Sequence, residues 1–372
     1  MRVVGYLASW GVRSKGTRIG ALPAKELTHI FYAFAKIKND GRVALGDPCV
    51  DVGICASRGP ADSGGNFAEL RRLKQQNPHL KIVISIGGWT GSGKFSDAAL
   101  TDSSRRLFTQ SAIEVFIRQT SGLFDGIDLD WEFPVSGGLE TNVKRAADRE
   151  NFTLLLAELR RQLDAEGAKD KRYYELAIAA SANPGALRNL EIGRVAALLD
   201  FINVMTYDYH AGSTQTNFNA PLYAAAGDPT PGFNVDVSMR AFLDAGVPAV
   251  KLLVGIPFYA RAYGGVPEFN DGLFQPGNSR PTGWRPGDGD WRVLSATRLK
   301  DPHYVRRWES AARVPWLHDS TSGTWVTYDD AQSVAEKVRY VRERGFGGVM
   351  IWELGGDDGS LIQAISASKG RP

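Results

Sequence analysis

The run KIVISIGG, residues 81–88, decides how the rest of the chain is read. Its apolar residues do not alternate with polar ones but follow each other almost without a break. A strand with one wet face alternates, whereas a continuous apolar run suits a strand covered on both faces, as in a parallel sheet flanked by helices. KLLVGIPF, residues 251–258, reads the same way. Working outward, further strand-like runs occupy residues 3–10, 29–35, 126–132, 175–181, 201–208 and 347–354. Amphipathic helical patterns lie between most of them, at residues 67–76, 104–120, 146–166, 235–245 and 330–344. Eight strands with helical crossovers predict an α/β fold, a closed (β/α)8 TIM barrel rather than an open sheet. The rival doubly wound dinucleotide fold lacks its signatures: no GxGxxG follows the first strand, and no GxxxxGK with Ser or Thr next occurs.

One stretch breaks the alternation. Residues 263–328, between the seventh strand and the last helix–strand pair, are too long for an ordinary loop. They hold five of the nine tryptophans, Trp284, Trp291, Trp308, Trp316 and Trp325. They are read as a small domain inserted on the C-terminal face of the barrel, where the loops after the strands build sites. The expected division is a barrel of residues 1–262 and 329–372 and an insertion of residues 263–328. Some of the five indoles form the insertion's own core, and one or two are expected to line a cleft.

Composition narrows the function. Apolar residues make up 43% and charged residues 23% of 372, which argues against disorder and against a disulfide scaffold. A formal charge of +3 gives no warrant for a nucleic-acid or anionic-membrane partner. No apolar run approaches the roughly 18 residues of a spanning helix. The opening MRVVGYLASWG has no signal-peptide pattern. Cys49 and Cys55 lie close together, and a small disulfide is favoured over two free thiols; a lone CxxxxxC is a poor zinc signal. The five histidines form no HExxH, and no metal or cofactor is expected.

The chemistry is concentrated in FDGIDLDWEFP, residues 124–134. Asp128, Asp130 and Glu132 are spaced by two, so on a strand all three point to one face. Ile127, Leu129 and Trp131 point to the other face and pack against the helices. Three acids in a barrel interior cannot all ionise; like charges this close push at least one pKa up and share protons. A proton held near neutral pH is what a general acid needs. A hard cation is the other use of such a cluster. Asp125 breaks the spacing and is read as bracing the strand. Trp10, Trp89, Met205, Tyr207 and Trp352 fall at the C-terminal ends of different strands, where a barrel opens to substrate. Aromatic faces there suit the apolar faces of sugar rings.

The run from Asp125 to Glu132 resembles the DGxDxDxE signature of family 18 glycoside hydrolases, the chitinases and their relatives. Ser85-Ile86-Gly87-Gly88-Trp89 is similar to that family's SxGG strand, and Met205-Thr206-Tyr207-Asp208 to its MxYD strand. Pro257-Phe258-Tyr259-Ala260-Arg261 resembles the PFYGR segment, with Ala260 where Gly is common, and Gly348 to Glu353 resembles the last strand with its Trp. The insertion lies where many members carry an extra α+β domain. The resemblance implies that Glu132 is the general acid, that Asp130 orients the substrate's acetamido group, and that Asp128 shares a proton with Asp130. It implies that Tyr207 and Asp208 hydrogen-bond the sugar and that Tyr6 and Ser85 hydrogen-bond Asp128. Trp89, Met205, Tyr259, Arg261 and Trp352 are the further substrate-binding residues it implies. The expected substrate is chitin or its oligosaccharides and the expected state a secreted monomer, export being inferred from the insoluble substrate. An endo-β-N-acetylglucosaminidase acting on glycoprotein glycans, and a non-hydrolytic chitin lectin, remain as alternatives. Asp130 and Glu132 leave one strand on one face, so they do not sandwich an anomeric carbon; the substrate's own acetamido oxygen is the expected nucleophile, as in other members of the family.

Overall fold

Thirteen strands are present in the computed structural model, which describes residues 1–55, 64–278 and 281–370. They are β1 (Arg2–Ala8), β2 (His29–Ile37), β3 (Val43–Ala44), β4 (Lys81–Gly87), β5 (Gly126–Asp130), β6 (Glu175–Ser181) and β7 (Phe201–Met205). Then follow β8 (Leu252–Pro257), β9 (Arg261–Tyr263), β10 (Val305–Glu309), β11 (Val314–Asp319), β12 (Thr324–Thr327) and β13 (Gly348–Trp352). Eight of them form one parallel sheet in the order β1-β13-β8-β7-β6-β5-β4-β2, and pairing of β1 with β2 closes it into the expected barrel.

The continuous apolar runs divide between two cores. In β4, Ile82, Ile84 and Ile86 face outward into the large core shared with the helices. Val83 faces inward, with Val4, Tyr6, Phe31, Phe201, Leu253 and Met350 from other strands. Helices Gly65–Gln76, Asp102–Ile113, Asp148–Asp170, Val235–Asp244 and Ala331–Glu343 supply the outer layer. Their starts follow from the sequence: Thr101, Asn234 and Asp330 accept hydrogen bonds from the first-turn backbone N–H groups.

Several strands end earlier than their patterns predict, among them β1 at Ala8 rather than residue 10 and β13 at Trp352 rather than residue 354, and two of these early ends shape the site. β5 stops at Asp130 rather than residue 132, and β7 at Met205 rather than residue 208. At both places the chain leaves the ladder at the barrel mouth. The Asp130 carbonyl accepts from the N–H of Gly88, the residue that follows β4, and from Ser92 Oγ at 3.2 Å. Asp208 turns into the left-handed region at φ 60°. Gly87, beside Asp130 in the register, must be glycine: its φ is +112° and a Cβ would stand 2.3 Å from the Asp130 carbonyl oxygen.

The insertion is a four-stranded antiparallel sheet, β10-β11-β12-β9, with helix Trp291–Ala296. Its first strand begins at Arg261. Trp316 and Trp325 pack with Phe218 and Tyr263 in a small separate core. Where β12 returns to the barrel, Lys337 Nζ lies 2.6 Å from Asp329, and both side chains are fully buried. Cys49 and Cys55 are joined in a disulfide. Among the described residues, no helix is long and apolar enough to cross a membrane.

Candidate active site

The register of β4 against β5 sets the lowest part of the site. Ser85 lies beside Asp128, and Ser85 Oγ donates to Asp128 Oδ2 at 2.7 Å. The Tyr6 hydroxyl donates to the same oxygen at 2.9 Å and accepts from Asn203 Nδ2 at 3.2 Å. Asp128 is completely buried, and burial pushes its carboxyl up to about 7 against the pull of those two hydrogen bonds. Asp130 rises well above the ordinary range, first through burial, then through the charges of Glu132 and Asp128. Asp128 Oδ1 and Asp130 Oδ1 are both buried without a hydrogen-bond partner. Two buried acids two residues apart on one strand hold one proton between them more cheaply than they hold two charges.

Glu132 stands just past the strand end. Its backbone N donates to Ser92 Oγ at 2.8 Å, and its carbonyl accepts from Asn142 Nδ2 at 2.9 Å. The main chain is thus fixed while the carboxyl is left for chemistry. Burial, and then the charge of Asp208, raise that carboxyl to about 7. Asp208 is held in turn: Oδ1 accepts from the Tyr259 hydroxyl and from Arg261 Nε, each at 2.6 Å, and Arg261 Nη2 lies 2.6 Å from Oδ2. Burial and the charges of Asp130 and Asp208 keep the Tyr207 hydroxyl protonated, as a donor. Its oxygen lies 3.7 Å from Met350 Sδ.

The aromatic residues form a floor. Trp352 lies 5.5 Å from Tyr6 and stacks on Phe34 at 5.8 Å, and Phe34 lies 6.2 Å from Trp10. Met205 and Tyr207 border the same interior cluster. Trp10 and Trp89 are 46% and 50% exposed, which is uncommon for indoles and leaves their faces open. Trp284 of the insertion reaches a cavity of about 380 Å³ that Trp352 and Tyr259 also line. Trp291, Trp316 and Trp325 are buried. Trp131 faces outward, stacked on Phe95 at 5.2 Å. Asp125 lies at the opposite end of β5, where Lys74, Arg172 and the Ile82 N–H hold it at 2.6, 2.6 and 2.8 Å.

The sequence reading missed Phe34, Asn203, Ser92 and Met350. Phe34 is misplaced by simple alternation because the register of β2 against β4 shifts between Ala33 and Ala35. Such a bulge re-aims one side chain. Asn203 carried a usable signal: it is a polar residue at an inward position of an apolar strand, between Phe201 and Met205. Among the described residues, no three His, Cys, Asp or Glu side chains converge as cation ligands.

A parallel barrel whose mouth holds carboxyls with raised pKa values beside an aromatic floor suits acid-catalysed cleavage of a sugar chain. The chain belongs to family 18 of the glycosyl hydrolases, whose model matches residues 2–357. It is 39% identical to chitinase A1 of Niallia circulans, over 97% of this chain, and spans 57% of that relative's length. Among solved structures, chitinase ChiA74 from Bacillus thuringiensis superposes with a TM-score of 0.91 at 33% identity, covering 99% of this chain and 69% of that one. A family 18 N-acetylglucosaminidase from Paenibacillus barengoltzii superposes with a TM-score of 0.83 at 34% identity, covering 99% of each chain.

Proposed function

We propose that this chain is a chitinase that hydrolyses β-1,4 bonds between N-acetylglucosamine units with retention, using the substrate's acetamido group as nucleophile. The observation that carries the reading is the pairing of Glu132, raised to about 7 just past the end of β5, with Asp130 at the last position of that strand. A carboxyl near 7 is still largely protonated at mildly acidic pH and can return as a base. Glu132 gives its proton to the glycosidic oxygen, and the C1–O bond breaks with its electrons going to that oxygen. The acetamido carbonyl oxygen attacks C1 from the other side, giving a cyclic oxazolinium ion. Asp130 and the Tyr207 hydroxyl hold the acetamido group in line, and Asp130 offsets the developing charge. Asp128, with Tyr6 and Ser85, keeps a proton available to Asp130. Water then adds to C1 as Glu132 takes its proton, and the acetamido group is released.

Trp352 is the proposed platform under the reacting sugar. Trp89, Met205 and Asp208 contact the chain, and Tyr259 and Arg261 hold Asp208. Residues 263–328, treated as one domain, wall the cleft. Because chitin is insoluble, the proposed site of action is outside the cell, and the proposed working unit is a monomer bound to chitin or its oligomers. The presence of Glu132, Asp130 and Tyr207 together favours hydrolysis over a lectin role.

The test is release of soluble sugar from chitin, with NMR of fresh hydrolysate. The β anomer should appear first, and fully deacetylated polymer should resist cleavage because it lacks the nucleophile. The α anomer first, or ready cleavage of deacetylated polymer, refutes the mechanism. Deglycosylation of a high-mannose glycoprotein without activity on chitin refutes the substrate.

A further inference from the structure

Three segments far apart in the chain meet at one ammonium group. Lys15 follows helix Gly11–Ser14, Asp290 precedes helix Trp291–Ala296 of the insertion, and Glu353 follows Trp352. Lys15 Nζ lies 2.8 Å from Asp290 Oδ1 and 2.6 Å from Glu353 Oε1. Asp290 and Glu353 are 7% and 6% exposed. All three line the cavity of about 380 Å³, with Tyr259, Trp284 and Trp352.

The position of this cavity follows from the barrel order. Counting around the barrel, β13 and β5 are four strands apart and face each other across it. Glu132 lies at the β5 mouth and the cavity lies beyond Trp352 at the β13 mouth. On the reading given above, Glu132 stands on the leaving-group side of the sugar over Trp352. The cavity is then on the other side, along the sugar that stays attached to the new reducing end.

The remaining charges around the cluster are few. Arg292 Nε is 3.9 Å from Asp290 Oδ2, Arg285 lies on the cavity rim, and the Gly355 N–H donates to Glu353 Oε2 at 2.8 Å. Burial works against the Lys15 charge, but the two carboxylates outweigh it and Lys15 remains an ammonium. With Lys15 in place, the described residues of the wall carry no free anion. A neutral acetamido group is accepted there, whereas a second ammonium would be desolvated without a partner. Without Lys15, Glu353 keeps only a neutral N–H partner. It would then receive a sugar ammonium with the same donor chemistry that Lys15 supplies.

We propose that Lys15 is a specificity-determining residue: by occupying Asp290 and Glu353 it excludes glucosamine, the deacetylated sugar, from the cavity next to the reacting unit. This rests on the proposed chitinase reading. The experiment digests partially deacetylated chitin with wild type, Lys15→Met and Lys15→Arg, and sequences the products by mass spectrometry. In Lys15→Met, glucosamine second from the new reducing end should become about tenfold more frequent, the factor for one charge-assisted contact. The terminal unit should stay acetylated, and Lys15→Arg should keep the wild-type pattern. On a fully acetylated oligomer, Lys15→Met should change KM more than kcat. Glu353→Gln gives a second arm of opposite sign, since the unbalanced Lys15 should drive glucosamine below its wild-type frequency. A wild-type chain that cleaves no acetylated polymer overturns the proposed function. Wild-type cleavage with an unchanged glucosamine frequency in both Lys15→Met and Glu353→Gln overturns the role of Lys15 alone.

Discussion

Replacing Tyr6 with Phe removes one hydroxyl from the middle of the barrel and leaves the ring in place. That hydroxyl donates to Asp128 Oδ2 at 2.9 Å and accepts from Asn203 Nδ2 at 3.2 Å. Burial lifts Asp128 to about 7, and the hydrogen bonds from Ser85 and Tyr6 are what oppose it. A hydrogen bond to a charged group contributes about 1.5–3 kcal/mol, and one pKa unit corresponds to about 1.36 kcal/mol. Losing the Tyr6 bond therefore moves Asp128 up by roughly one to two further units. The sign for stability follows from linkage. Asp128 is raised above its unfolded value of 3.8, so its contribution to stability is complete below that value and is lost as pH rises through the folded value. In Tyr6→Phe the loss continues to higher pH. The variant also leaves Asn203 short of an acceptor, a cost of about 1–3 kcal/mol that does not depend on pH. Urea melts at about pH 5 and about pH 9 separate the two parts. The gap between wild type and variant should widen at the higher pH by about 1.5–3 kcal/mol. A gap of equal size at both would refute the idea that Tyr6 acts on the charged form of Asp128.

Glu132→Gln should lower turnover by about 10²–10⁴-fold while chitin-oligomer binding, measured by calorimetry, stays near wild type; more than about a tenth of the activity remaining would remove Glu132 as the acid. Asp208→Asn should move the alkaline limb of the pH profile to lower pH, because Glu132 loses the like charge that, after burial, holds its carboxyl up and so ionises sooner; a limb that stays in place contradicts the coupling. Trp352→Ala should weaken oligomer binding by about 1–3 kcal/mol, by analogy with stacking of bases on aromatic side chains; a lower melting temperature with unchanged affinity would make it a core residue instead. Lys337→Met leaves Asp329 buried without its partner and should destabilise the fold by about 3–5 kcal/mol, most of it recovered in the double variant Lys337→Met/Asp329→Leu.

The barrel could be read from the chain because its strands are buried on both faces, which leaves unbroken apolar runs such as residues 81–88. The acidic triad could be read because a period of two is preserved through Asp128 and Asp130 and carries on past the last ladder bond to Glu132. What could not be read is whatever leaves that period. Phe34 sits at a register shift, so counting by two assigns it to the wrong face. Asp208 owes its place to a left-handed turn and to Asn219, whose Oδ1 accepts its backbone N–H at 3.0 Å. The Lys15 cluster joins Lys15 to residues 275 and 338 positions further along the chain. No local pattern announces such a meeting.

The ion cluster at Asp125 has a bearing on how the enzyme can change. It fastens the far end of β5 to helix Gly65–Gln76 through Lys74 and to the segment after helix Asp148–Asp170 through Arg172. Seven residues of nearly extended chain put it roughly 20 Å from Glu132, well beyond the Debye length of about 8 Å at physiological salt. The cluster is thus electrically silent at the mouth while it fixes the height to which the acids project. Substitutions at the two ends of this strand should then behave as independent dials. Drift at the base would alter how long the protein survives heat, and drift at the mouth would alter what it cuts and at which acidity, with little cross-talk for selection to resolve.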